Sequence, residues 1–184
     1  MKLLTIIALS LSFSLAPPTH AQVLEAYGTL AIDHLSSVEL TPYSSTQFST
    51  YTPVGATFGG TINFIPLHIL TVGIDVRDTA ANGANIWLAG LQIKAKPPRL
   101  RFKPYFKLSV GEARLHVPQS YSSMLPSTLP IDYYLYNAAL GVDYRLTHFI
   151  DFRALEIGDG RTLGGGATNP TSFLTINTGF VVHI

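Results

Sequence analysis

Along most of this chain polar and apolar residues exchange places at every second position, the period of an extended strand with two chemically different faces. Eight segments carry the pattern. In 24–33, Leu24, Ala26, Gly28, Leu30 and Ile32 oppose Glu25, Tyr27, Thr29, Ala31 and Asp33, and in 55–65, Ala56, Phe58, Gly60, Ile62 and Phe64 oppose Thr57, Gly59, Thr61 and Asn63. The third segment sets Leu70, Val72, Ile74 and Val76 against Thr71, Gly73, Asp75 and Arg77; the fourth sets Trp87, Ala89, Leu91 and Ile93 against Gly90, Gln92 and Lys94. In the fifth, Phe106, Leu108 and Val110 face away from Tyr105, Lys107, Ser109 and Gly111, and in the sixth Tyr134, Tyr136, Ala138, Leu140 and Val142 face away from Asn137, Ala139, Gly141 and Asp143. The seventh opposes Ile150, Phe152 and Ala154 to Asp151 and Arg153, and the eighth opposes Leu174, Ile176, Phe180, Val182 and Ile184 to Thr175, Asn177, Gly179 and His183. No segment beyond residue 21 keeps a helical period, so the fold class is all-β.

The connections alternate in length: 65–69, 95–101 and 145–148 are short, while 34–54, 78–85, 114–132 and 157–172 are longer and rich in Ser, Thr, Gly, Pro and Tyr. An even number of antiparallel strands joined in this way predicts a closed, eight-stranded, up-and-down transmembrane β-barrel with short turns in the periplasm and long loops outside. Sidedness follows from the polar face. Glu25, Asp33, Asp75, Asp143 and Asp151 nearly balance Arg77, Lys94, Lys107 and Arg153, with glycines between them. Paired charges with small neighbours suit the narrow interior of such a barrel. Glu25, Asp75, Arg77, Lys94, Lys107, Asp143, Asp151 and Arg153 are therefore expected to form an interior polar network, and the apolar face to meet lipid. Glu156 breaks the outward apolar pattern, which predicts a β-bulge or an early exit from the membrane there. Tyr27, Phe64, Trp87, Tyr133, Tyr134, Tyr144 and Phe149 collect near strand ends as an interfacial girdle would.

Composition sharpens this. Charged residues are 12 % of the chain, roughly half the share of a soluble domain. No apolar run beyond the N-terminal segment is long enough for a membrane-spanning helix. A closed sheet satisfies every backbone group in lipid without one. With no cysteine and a net charge of +1, disulfides, thiolate metal sites and a lipid-anchored cysteine are excluded, and no basic stripe points to nucleic acid. Lys2, the apolar run 3–15 and the tripeptide Thr19-His20-Ala21 have secretory signal grammar, so residues 1–21 are expected to be removed and 22–184 to form the barrel domain.

With these residues laid out, the chain resembles the OmpA/OmpX-type eight-stranded outer-membrane barrels. The most specific element is the final strand, where Asn177, Gly179, Val182 and Ile184 are similar to the C-terminal signal read by the barrel assembly machinery; the last residue is Ile184 where that signal usually has Phe. Nothing after the eighth strand corresponds to the peptidoglycan-binding domain of OmpA. The resemblance implies a barrel-only protein of the bacterial outer membrane. Its expected partners are outer-membrane lipid and lipopolysaccharide, the assembly machinery and periplasmic chaperones in transit; it would be monomeric, with no cofactor, metal or catalytic residue.

Two other readings compete. A soluble calycin-like barrel holding a ligand needs its apolar face inside. A lipid A-modifying enzyme would draw on Glu112, Arg114 and His116 at the outer end of strand five, with Ser109 or Ser120 as nucleophile, although parity turns Ser109 inward. His68, His148 and His183 fall at the short-turn rim, but their spacing matches no known ligand set. Gly164-Gly165-Gly166 reads as a flexible loop, and 41–52 and 119–129 as exposed segments open to a ligand.

Overall fold

The computed structural model describes residues 23–39, 48–67, 69–115, 131–163 and 172–184. The expected signal segment, His68, His116, Ser120 and the Gly164–Gly166 run lie outside them.

Nine strands form one antiparallel sheet: β1 (Val23–Glu39), β2 (Phe48–Tyr51), β3 (Val54–Leu67), β4 (Leu70–Ala81), β5 (Ala84–Ala95), β6 (Phe102–Leu115), β7 (Ile131–Arg145), β8 (Ile150–Thr162) and β9 (Ser172–His183). Each of β3 to β9 pairs with its neighbour in sequence, and β1 pairs with both β3 and β9, which closes the sheet into an eight-strand barrel. β2 is a short arm that pairs with β1 beyond the rim. The seam joins the two ends of the described chain: Glu25 lies opposite His183, Ser36 opposite Ser172, and the Ile184 amide donates to the Leu24 carbonyl at 2.8 Å.

Sidedness runs as the alternation predicts. Leu30, Phe58, Leu108, Leu140 and Phe180 point outward, each more than half exposed, while Glu25, Lys94, Lys107, Asp143 and Asp151 are fully buried in the lumen. The soluble calycin-like reading needed the reverse. No described helix is long and apolar enough to cross a membrane, so crossing is left to the strands.

Three loops contract. Within 34–54, β1 continues to Glu39 and β2 returns beside it, since Leu35 keeps the inward parity and is buried. The 78–85 connection is a two-residue turn, Asn82-Gly83, between strands paired from Leu70–Ala95 to Ala81–Ala84. Gly83 has φ 75°, and Asn-Gly is the strongest short hairpin signal because two-residue hairpin turns need positive φ, which glycine and asparagine adopt at the least cost. β8 likewise extends to Thr162. In each case polar composition had masked continuing alternation.

Candidate functional site: the barrel lumen and its rims

In the half of the lumen towards the short turns the charges interlock. Lys107 bridges Asp75 (2.6 Å) and Glu156 (3.2 Å), and Tyr27 donates its hydroxyl to Asp75 at 2.6 Å. Glu156 is the hub. It accepts from Arg77 (2.5 Å), the Tyr105 hydroxyl (2.8 Å) and the Asn177 amide (3.1 Å), with Arg153 at 3.5 Å. Arg153 pairs with Asp143 at 3.0 Å, and its guanidinium lies 4.3 Å from the Tyr27 ring centre and 4.8 Å from that of Tyr105. A delocalised, weakly hydrated cation between two aromatic faces is a favourable way to hold a buried charge.

A second cluster lies nearer the short turns. Lys94 bridges Glu25 (2.5 Å) and Asp143 (2.9 Å), Lys103 pairs with Asp151 (2.5 Å), and His183 sits 2.8 Å from Asp151 and 3.5 Å from Glu25. Lys96, in the β5–β6 connection, reaches Glu25 at 3.4 Å, and its partial burial pulls the ammonium below its ordinary range.

Tyr27 and Tyr105 fit only because glycine stands opposite each. Gly59 is the cross-strand partner of Tyr27, and Gly141 that of Tyr105. A Cβ on Gly59 would come within 2.5 Å of the Tyr27 ring, and one on Gly141 within 2.3 Å of the Tyr105 ring.

Towards the long loops the lumen changes character. Leu35, Ile86, Leu88, Leu115, Leu135, Tyr133 and Phe173 pack into a buried apolar plug. The outside changes with it: Glu112 and Arg114 flank buried Ala113, and exposed Asp132 precedes buried Tyr133. Arg114 bonds Asp132 at 2.8 Å, which raises the guanidinium above its ordinary range. On β6 the outward apolar run thus spans Phe102 to Val110. Nine residues at about 3.3 Å each, tilted as barrel strands are, cross about 23 Å, close to the roughly 25 Å apolar band of such proteins. Beyond that band, water wets the outside and the wall must bury apolar groups within. The lumen is therefore closed twice, by ion pairs and then by an apolar plug.

No family model matches the chain, and no curated protein matches its sequence significantly. Solved structures do match. The Neisserial surface protein A aligns over 88 % of this chain and 99 % of its own, with a TM-score of 0.57 at 12 % identity. Ail, the attachment invasion locus protein of Yersinia pestis, aligns over 90 % of this chain and 100 % of its own, with a TM-score of 0.51 at 10 % identity. A de novo designed transmembrane β-barrel covers 90 % of this chain and 98 % of its own, at a TM-score of 0.50 and 14 % identity. The fold is that of the OmpA/OmpX-type eight-stranded outer-membrane barrels.

Within this barrel, all eight residues expected in the interior network are buried. Asp75 pairs with Lys107 and Asp151 with Lys103, each two strands away, while Arg153 takes its register neighbour Asp143. Lys103 and Glu156 join the network unforeseen. Glu156 turns inward because Ala154 is an extra residue: Val142 pairs with Leu155 but Asp143 with Arg153, and the β8–β9 register shifts between Arg153 and Glu156. The predicted bulge is present, and following its parity flip would have placed Glu156 in the lumen. Tyr27 and Tyr133 correct the girdle, since both are buried inside, where Tyr27 bonds Asp75 and Tyr133 packs in the plug. Phe64, Trp87, Tyr134 and Phe149 do face outward.

Of the assembly-signal residues, Asn177 lines the lumen against Glu156 and Thr57, Val182 faces outward, Gly179 packs against the Gly28 carbonyl, and Ile184 is exposed at the seam. Ser109 is buried in the lumen, away from Glu112 and Arg114 outside, so these three do not converge.

Proposed function

We propose that this chain forms a barrel of the bacterial outer membrane with a structural and interaction role, acting through its outer rim and loops rather than by conduction or catalysis. The observation that carries this reading is the doubly closed lumen: the ion-paired layer and the apolar plug occupy the space an aqueous path or an enclosed ligand would need. In this reading residues 1–21 direct export, periplasmic chaperones carry the chain, and the assembly machinery recognises Asn177, Gly179, Val182 and Ile184 on β9. The barrel works as a monomer, and the segments 41–52 and 119–129, rich in Ser, Thr and Tyr, supply the recognition surface beside lipopolysaccharide.

Cell fractionation joined to electrophoresis of heated and unheated samples tests place and fold, with an outer-membrane band of altered migration expected. Conductance of the refolded protein in planar bilayers tests closure. Stable unit conductance steps that vanish on unfolding would refute the closed lumen.

A further inference from the structure

Among the described residues the two ends of the barrel carry opposite surface charge. At the short-turn end Glu25, Asp143 and Asp151 are buried and paired inward, so what remains on the surface is basic. Arg99 and Arg101 in the β5–β6 connection and Arg145 at the end of β7 are exposed, and among the described residues none of them has an ion-pair partner. Asp151, the register neighbour of Arg145, is already engaged by Lys103 and His183. At the long-loop end the surface carboxylates Asp78, Glu112, Asp132 and Asp159 outnumber Arg114 and Arg161.

Two of the three arginines, Arg101 and Arg145, are also crowded. The Arg145 amide donates to the Arg101 carbonyl at 2.9 Å, so two like charges sit on adjoining chain segments, an unfavourable arrangement unless an anion lies between them. Arg101 Nη1 donates to the Tyr144 hydroxyl at 3.4 Å, beside the tilted Phe102–Tyr144 ring pair where the apolar band ends. Leu100, Leu146 and Phe149 stand exposed around them. Cations just past an aromatic and aliphatic rim sit at headgroup depth.

We propose that Arg99, Arg101 and Arg145 form a binding site for the phosphate of anionic phospholipids in the leaflet around the short-turn end. A phosphate accepts from two guanidinium groups at once and removes their repulsion.

The inference rests on the outer-membrane reading. It is tested by refolding the wild type and the triple variant R99Q/R101Q/R145Q into phosphatidylcholine vesicles with and without phosphatidylglycerol. Native mass spectrometry then counts the lipids retained by the folded barrel. Each basic group near an anionic surface contributes about a fivefold preference, so the triple variant should lose phosphatidylglycerol retention on the order of 100-fold and keep its phosphatidylcholine. Equal retention of both lipids by the wild type, or unchanged phosphatidylglycerol retention by the variant, overturns the proposal. So does a loss that appears with R114Q/R161Q instead. Failure to insert into either membrane, seen as migration unchanged by heating, defeats the outer-membrane reading; insertion without lipid preference defeats this inference alone.

Discussion

Replacing Glu156 with Gln should cost more than any change of equal size on the barrel surface. The carboxylate is buried, with Arg77 at 2.5 Å, Tyr105 at 2.8 Å, Lys107 at 3.2 Å and Arg153 at 3.5 Å. Gln keeps the volume and one acceptor, but its NH2 must point either at Arg77 and the Asn177 amide or at Lys107, Arg153 and the Tyr105 hydroxyl, all of them donors. It also leaves the lumen with an uncompensated positive charge. Removing one partner of a buried pair costs about 3–5 kcal/mol, a large share of the roughly 5–15 kcal/mol that holds a typical domain folded. Urea titration of the vesicle-inserted barrel measures it, followed by fluorescence of Trp87, the single tryptophan, and by unheated electrophoresis. Asp159→Asn, on the exposed outer wall, serves as the control and should change stability by no more than about 0.5 kcal/mol. If Glu156→Gln falls within about 1 kcal/mol of wild type with an unchanged denaturant slope, the hub assignment is wrong. Adding Lys107→Met should recover part of the loss, since the neighbours share one network.

Gly141→Ala forces the Tyr105 ring to move and should lower stability by about 1–3 kcal/mol. Gly28→Ala, whose Cβ meets Phe58 no closer than 3.5 Å, should be near neutral in the same titration. Leu140→Arg puts a cation in hydrocarbon at an outward position 65 % exposed; a loss of about 2–4 kcal/mol in vesicles is expected, and no loss would mean that this face does not meet lipid. Ile184→Asp should slow assembly in cells, read as heat-modifiable band formed per unit time, while the purified barrel keeps its urea midpoint; equal assembly would remove Ile184 from the recognition signal.

The barrel was legible because lipid and lumen demand opposite chemistry at alternate positions, and Leu108-Ser109-Val110 or Ile74-Asp75-Val76 can satisfy that in one register only. The partners within the lumen were not, because which charges meet depends on strand tilt and stagger rather than on local sequence: Asp75 finds Lys107 two strands away. The apolar plug did leave a trace. In Glu112-Ala113-Arg114-Leu115 and Asp132-Tyr133-Tyr134-Leu135 the polar residues shift to the outward parity, where the wall leaves the hydrocarbon. Taken as loop edges, these segments hid the change, as the polar stretch around Asn82-Gly83 hid a tight hairpin.

An ionic lumen has a structural consequence that an apolar one would lack. A one-residue slip of any strand exchanges its faces; for β6 it would carry Lys103 and Lys107 out of the lumen and into lipid. A cation near the bilayer midplane costs about 2–4 kcal/mol, so each charged strand enforces its own register. The β1–β9 seam depends on this most, because no turn joins its strands. A slip there would take His183 from Glu25 and Asp151 and turn Thr175 and Asn177 towards hydrocarbon. The side chains that block the lumen also specify how the barrel closes, so weakening the network should yield misregistered or open sheets as well as less stable closed ones.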